Sequence, residues 1–438
     1  FYFSYPFLWD NPIANIGKVL TYYQRNALDP AFANAVLPSW SFYAIRWVIL
    51  TAPPLVLFGL LLNIVLLRES LTKHHGFLLL IYLWLLVTIA RVSIPGVNIY
   101  GGVRQIMEYI PAIAILAGVG INQMVTWLHG YMVKLKKPYN YLAIQPLTLS
   151  VIFAFSIYPL VRLHPNENVY FNFLIGGLKG AVESGVPAAG NSFGNAYYQG
   201  VKWINTNVTT NAKLAIIQGS TVNIPQYKLR SDIDLSNDHF SGINRSGEYL
   251  IALTFNYEHK ENFYAWEYID KFLEPVYEVK ADGVSIAKVW KNDLEHTRSE
   301  YKLQEKIVTI EAALVKEENR IEIKMKDGVL LSRIALSYEP TDDCLPLKVG
   351  VVETSINGED WVREKDPLTF SQVGKIVNTF RPAWESSAQE HSYSNSFITF
   401  HFAGIKANFI RFTLDNEKSC ALNNPSLEIK ALVPFSTK

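Results

Sequence analysis

The chain has 438 residues, with 40 Lys and Arg against 39 Asp and Glu, a formal charge of +1, and 49% hydrophobic residues. Such a length holds two or three domains with a core in each, and a balanced charge without a dense Lys/Arg cluster excludes a phosphate-tracking nucleic-acid surface. The average conceals a division: nearly every long apolar run precedes Leu163, and the remainder alternates polar and apolar residues like a water-exposed protein.

The opening FYFSYPFLWDNP lacks the basic start, short apolar middle and small-residue cleavage site of a signal peptide, and the chain is expected to be a fragment. A helix needs about twenty apolar residues to cross the hydrocarbon layer, and four segments are expected to do so. Residues 47–67, WVILTAPPLVLFGLLLNIVLL, are the clearest. Residues 110–128 follow, with Gly118 and Gly120 allowing close helix contact. Residues 77–90 and 147–161 are shorter and recruit their flanks, with Arg91 and Arg162 snorkelling toward the head groups. RESLTKHH at 68–75 and KLKK at 134–137 then share one side, which their positive charge marks as cytoplasmic. Residues 1–43, the loop at 98–108 and everything after Leu163 face outward.

At LVRLHPNENVYFNFLIGGLKGA, residues 160–181, His164-Pro165 is expected to end the last helix, because proline disfavours helical geometry in the residue before it. Gly176, Gly177 and Gly180 turn the backbone or admit a close neighbour. Tyr170 and Phe171 suit an aromatic belt, and Asn168 and Asn172 suit side chains that satisfy backbone groups. Beyond this corner, helices over 195–205 and 264–273 and strands at Leu214, 249–255 and 284–289 describe a small α/β domain. No glycine-rich phosphate loop accompanies them. KNDLEHTRSEYKLQEK, residues 291–306, is a charged linker.

The tail is all-β by pattern. NRIEIKMKDGVLLSRIALSY predicts a hairpin turning at Asp327-Gly328, and SFITFHF and NFIRFTL supply further strands of a sandwich of about 130 residues. Cys344 and Cys420 lie in it; a disulfide and two buried thiols both remain open, and no His or Cys stands at zinc-ligand spacing. Asn207-Val-Thr and Asn244-Arg-Ser are outward sequons. The organisation is multidomain: an α-helical transmembrane bundle at 1–163, an extracytoplasmic α/β domain at 164–295 and an all-β sandwich at 296–438, in a multi-pass cell-membrane protein.

Three patches resemble the type C membrane glycosyltransferases, specifically the family related to protein mannosyltransferases and the aminoarabinose lipid A transferase. LPSWSFYAIRWVILTAPPLVLFGLLL at Leu37 is similar to its Thr-x-Pro-Pro approach to a span, here Thr51, Pro53 and Pro54. YGGVRQIMEYIPAIAILAGVGI at Tyr100 resembles its Tyr-Asp-Gly-x-Arg-(His/Gln) loop, and HPNENVYFNFLIGGLKGA resembles its His-Pro-Tyr-x-x-Val-Tyr-Tyr-Asn-x-x-x-Gly-Gly corner. Together they cover somewhat under half of the chain. The tail's Ser-x-Asn-Gly-x-x-Trp at 355–361 resembles discoidin-like, galactose-binding-type sandwiches.

The resemblance implies transfer of a sugar from a polyprenyl-phosphate carrier to a protein or glycolipid acceptor outside the membrane. It also implies roles. Arg104 offers a fork of donors to the phosphate. Tyr100, Gln105 and Tyr109 supply hydrogen bonds or a sugar-stacking face, and His164, Asn172 and Asn191 brace the vestibule. Departures accompany the matches: Gly101 replaces the family's Asp, and NSFG at 191–194 replaces Asp-Tyr-Trp-Gly. The carboxylate that takes the acceptor's proton in this family sits in a first outward loop outside this chain, and Glu108 stands where the family has an aromatic. No cofactor is identified, and any divalent metal would be held by residues absent here. The alternative is a catalytically lapsed relative acting as an anchored glycan-binding or scaffold protein.

Overall fold

The computed structural model describes residues 11–18, 21, 40–95, 97, 102–134, 150, 154, 157–192, 194–217, 224–255, 264–317, 320–339, 348–365, 397–415 and 423–435. These fall into two compact units, Phe1–Ala189 with Ala281–Val284, and Gly190–Lys280 with Ser285–Lys438.

The first unit is helical: α1 is Tyr43–Thr51, α2 Pro54–Val65, α3 Leu67–Arg91, α4 Tyr109–Lys134 and α5 Gly177–Glu183. The single span expected over 47–67 is instead two helices bent by 115°. Proline is the reason, since Pro53 and Pro54 carry no N–H and cannot continue the ladder of α1. The basic stretch 68–75, expected as a loop, forms the opening turns of α3. It contains neither Gly nor Pro, so the helix runs straight through it. Among the described residues, Tyr109–Tyr131 is long and apolar enough to cross a membrane, and the bent pair adds a second crossing if its halves count as one. The apolar part of α3, Gly76–Arg91, is shorter than that. Most of the expected span at 147–161, and residues 135–137, lie outside the described residues.

Helices α2 and α4 approach almost backbone to backbone. A Cβ on Gly59 would lie 2.5 Å from the Ala117 carbonyl oxygen, and one on Gly120 would lie 2.0 Å from the Gly59 oxygen. At Gly118, which was also expected to admit a neighbour, nothing lies within 4 Å. Asn63, fully buried beside this contact, accepts the Tyr82 hydroxyl on Oδ1.

In the second unit α6 (Asn195–Asn207) precedes a mixed sheet of β1 (Lys213–Ile216), β2 (Asp234–Leu235), β3 (Tyr249–Leu253), β4 (Pro275–Ala281) and β5 (Val284–Lys291), in the order β2-β1-β3-β5-β4. Strand β1 pairs parallel with β2 and β3, and β3 antiparallel with β5. Helix α7, Tyr264–Phe272, buries Trp266, Tyr268, Ile269 and Phe272 in the core they share with Trp290. The elements expected here all occur, while β2 and β4 are additional. Glu248, 2% exposed, is fully paired inside: it accepts from the Ser241 N–H at 2.8 Å and from Asn292 Nδ2 at 2.7 Å.

Arg230 closes the C-terminal end of α6, donating to the carbonyls of Asn205 at 2.9 Å and Thr209 at 2.7 Å. Its guanidinium, helped by the Asn211 N–H, holds the Asp232 carboxyl at about 2. A depressed carboxylate pKa favours the native state above the unfolded value, and that contribution is lost as pH falls through the folded one. The Asp232 carboxyl carbon is therefore expected to titrate near 2 by NMR in the native chain and at a higher pH once Arg230→Ala removes the largest of the lowering contacts.

The remaining strands are β6 (Leu303–Ile307), β7 (Ile310–Glu317), β8 (Arg320–Glu339), β9 (Lys348–Ser355), β10 (Val362–Lys365), β11 (Phe397–Asp415) and β12 (Asn423–Pro434). Their order is β10-β9-β11-β8-β12-β6, with β7 against β8. The hairpin expected at Asp327-Gly328 is absent: β8 continues through it. Lys324 and Val329 face Phe409 and Ala407 of the same partner strand, so the intervening residues bulge instead of reversing. The reversal falls between β7 and β8.

Two long bent strands make the sandwich. Phe400 and Phe412 would lie about 40 Å apart on a straight strand, yet their ring centroids are 5.3 Å apart. Strand β11 therefore folds over at Gly404, whose φ of 68° suits glycine. The enclosed core holds Ile323, Leu331, Ile334, Phe402, Ile410 and Ile429. Lys271 of α7 secures the bend, donating from Nζ to the Ala403 and Gly404 carbonyls at 2.7 and 2.8 Å. Cys344 and Cys420 lie outside the described residues.

Candidate functional site

An α-helix pairs each carbonyl with the N–H four residues on. For Ile49 and Leu50 those residues are Pro53 and Pro54, which have no N–H to give. Asn172 supplies what they lack. Its backbone N–H donates to the Leu50 oxygen at 2.9 Å, and Nδ2 donates to Ile49 at 2.7 Å and to Ala52 at 2.9 Å. Oδ1 in turn accepts from the Leu174 N–H at 3.0 Å, so a side chain only 1% exposed has both ends of its amide engaged.

The start of α4 meets the same break, and the loop before it meets the body of α1. Thr51 donates from Oγ1 to the Trp47 carbonyl at 2.7 Å and hydrogen-bonds the buried Tyr109 hydroxyl. Tyr43 accepts the Gly102 N–H at 2.9 Å. Trp47 packs 5.3 Å from the Phe171 ring, and a Cβ on Gly102, whose φ is +66°, would lie 2.9 Å from that indole. The short helical turn Gly102–Ile106 is thus held by α1 from one side. From the other, Arg91 donates to the Gln105 carbonyl at 2.8 Å and approaches Glu108 at 3.4 Å. Arg91 was expected to snorkel; it braces this loop.

The corner has its own framework. Residues 157–163 are helical and end at the cis His164-Pro165 bond. His164 is exposed, with Nδ1 2.7 Å from Glu167, whose carboxyl is held below its usual range by its own backbone N–H and by His164. Arg162, also expected to snorkel, pairs with Asp282, and the other oxygen of Asp282 accepts the Leu178 N–H at 3.0 Å. A Cβ on Gly177 would meet that oxygen at 2.3 Å, and one on Gly180 would meet the Ile175 carbonyl at 1.8 Å. The close approach expected of the glycines is therefore present.

Of the residues singled out from sequence, Tyr109 and Asn172 meet at the end of α1. Gln105 and the exposed Arg104 lie on the braced turn, and His164 opens the corner. Asn191 belongs to the second unit, and Tyr100 is outside the described residues. Sequence reasoning missed Tyr43, Trp47 and Gly102. A signal existed in the proline pair, since two adjacent residues without N–H leave two carbonyls for a distant donor.

In the sandwich, the 355–361 turn organises itself. Ser355 Oγ accepts the Gly358 N–H at 2.9 Å, Asn357 Oδ1 accepts from Glu359 and Asp360 at 3.0 and 2.9 Å, and Trp361 donates to the Gly358 carbonyl at 3.1 Å. The Arg411 guanidinium lies 3.6 Å from the Trp361 ring centroid and is itself tied to Glu322 and Glu353. One indole face and the indole N–H are thereby occupied. Among the described residues, Asp293, Glu295 and His296 have ligand atoms within 4.8 Å of one another, but Lys291 and His296 already take the Asp293 oxygens at 3.0 and 2.7 Å.

No protein-family model matches the chain, and no curated protein matches it. Solved structures do show similarity. CBM32-3 from a family 31 glycoside hydrolase of Clostridium perfringens is 16% identical over 37% of this chain and 91% of its own, with a TM-score of 0.18. The C-terminal domain of a chitobiase from Bacteroides fragilis is 14% identical over 30% and 95%, with a TM-score of 0.17. CpGH89CBM32-6 of Clostridium perfringens is 12% identical over 30% and 94%, with a TM-score of 0.16. At those TM-scores they are recorded as similarity alone; the sandwich stands on its strand order and bend.

Proposed function

We propose that the chain handles carbohydrate at a membrane surface, as the C-terminal part of a glycosyltransferase that uses a polyprenyl-phosphate sugar. The supporting observation is the meeting of the three patches on α1: the Asn172 corner is hydrogen-bonded to its broken end across up to 123 residues of sequence, and the Gly102–Ile106 turn to its first residue, Tyr43, with Trp47 packed against both Gly102 and Phe171. In this reading α4 crosses the bilayer and the corner lies outside the cytoplasm. The acceptor oxygen attacks the sugar's anomeric carbon, the bond from that carbon to the phosphate oxygen breaks, and polyprenyl phosphate leaves. Arg104 holds the leaving phosphate, and the acceptor's proton goes to a carboxylate outside this chain.

A second reading, an anchored glycan-binding protein without transfer activity, is supported by the two acidic positions of the resembled family that Gly101 and Asn191 fill here, and the carboxylates at the junction do not replace them. Glu108 faces Arg91, Glu167 faces His164, and Asp282 is shared by Arg162 and the Leu178 N–H. None is placed to take an acceptor's proton.

Release of labelled polyprenyl phosphate by the full-length protein separates the two. Under the first reading, transfer to an extracytoplasmic acceptor occurs and Arg104→Ala lowers turnover by about a hundredfold, the usual scale for losing a charge-stabilising donor. Equal turnover in the variant removes Arg104 from the site. Glycan binding with no transfer from any polyprenyl-phosphate sugar supports the second reading.

A further inference from the structure

The first turn of α6 and residues 224–228 line an open groove in the second unit, about 900 Å³ in volume. Two tyrosines face it. Tyr227 is 84% exposed, too exposed to serve the core, and Tyr198 is 37% exposed. Each carries an ammonium: Lys202 Nζ lies 4.4 Å from the Tyr198 ring centroid, and Lys228 Nζ lies 5.3 Å from that of Tyr227. Lys228 is the one charged side chain among the lining residues, and Asn195 and Gln226 add amides.

The chemistry of these groups selects a ligand. A tyrosine offers a flat apolar face with a polar edge, which matches the C–H face and hydroxyl rim of a pyranose. With no carboxylate in the lining and lysines over both rings, an anion is attracted and a cation is not. Lining of this kind, with aromatic surfaces and a few polar groups, suits a small-molecule site. We propose that the groove binds a saccharide bearing a carboxylate or a phosphate, stacked on the exposed ring of Tyr227 beside Tyr198, with its charge at Lys228. The inference rests on the carbohydrate reading above and adds a site and a charge to it.

Calorimetry on the full chain in detergent tests this with three probes: tetragalacturonate for the carboxylate, mannose 6-phosphate for the phosphate, and mannotetraose as the neutral sugar. One anionic probe is expected to bind at least about tenfold more tightly than the neutral one, and Tyr227→Ala and Lys228→Ala are each expected to weaken it by about tenfold. Binding should weaken further as salt rises toward 1 M and the Debye length shrinks to about 3 Å. Both residues are exposed, so an unchanged circular dichroism spectrum shows that the variants fold. Equal affinity for neutral and anionic probes, or unaltered affinity in both variants, overturns the groove while leaving the carbohydrate reading intact. Binding of no probe overturns the groove, and only the further absence of sugar transfer removes the broader reading.

Discussion

Asn172→Ala should unfold the first unit at a markedly lower temperature than the native chain. The substitution removes both Nδ2 donors and the Oδ1 acceptor, leaving the Ile49 and Ala52 carbonyls and the Leu174 N–H without their partner. A buried polar group left unpaired costs about 1–3 kcal/mol, so a loss of about 2–4 kcal/mol is expected. The helix cannot repair itself, because Pro53 has no N–H to offer Ile49. Asn172→Asp should be at least as harmful, since it sets a carboxylate oxygen against those carbonyls. Thermal unfolding in detergent, followed by Trp47 fluorescence against the Phe171 contact, measures the effect. An unchanged midpoint for both variants would show that the amide is dispensable.

The second large effect is expected at Gly120. Its Cβ position falls 2.0 Å from the Gly59 carbonyl oxygen and 2.7 Å from the Asn63 N–H, both backbone atoms, so Gly120→Ala must push α2 and α4 apart. Overpacking of this kind costs about 1–3 kcal/mol and sometimes more. Two residues earlier on the same helix, Gly118 has nothing within 4 Å of its Cβ position. There alanine adds helix propensity of about 1 kcal/mol without a clash. Gly118→Ala is expected to hold or raise stability while Gly120→Ala lowers it. Equal effects would mean that α2 and α4 do not approach at Gly59.

That pair also shows how far the sequence could be read. Both glycines sit in one apolar run and both suit close contact, but which of them faces a neighbour depends on the rotation of α4 against α2, and no local pattern encodes that. The α/β elements were legible because Tyr198, Val201 and Ile204 repeat at helical spacing and because runs such as LIAL are buried whole. The Asp327-Gly328 turn misled for the opposite reason. The dipeptide is a strong local hairpin signal, yet β11 pairs with β8 on both sides of it, and those long-range hydrogen bonds outweigh the local preference.

At the candidate site the residues were visible but their partners were not. Asn172 was recognised as a side chain suited to backbone groups; that those groups belong to α1 follows only from the tertiary contact. Arg91 and Arg162 flank apolar stretches and so looked like residues reaching for head groups. Each has an anion supplied by the fold, Glu108 for one and Asp282 for the other.

The junction rests on one substitution of donors: Asn172 provides the N–H groups that Pro53 and Pro54 withhold from α1. A double-mutant cycle tests this directly by measuring the cost of Asn172→Ala in the native background and again with Pro53→Ala and Pro54→Ala together. Restoring the donor that Ile49 lacks should lower the cost of losing Asn172 by about 1 kcal/mol from about 2–4 kcal/mol, because the Ala52 carbonyl and the Leu174 N–H still lose their partner. The same cost in both backgrounds would contradict the account, because the corner would then stabilise the protein without completing the broken helix.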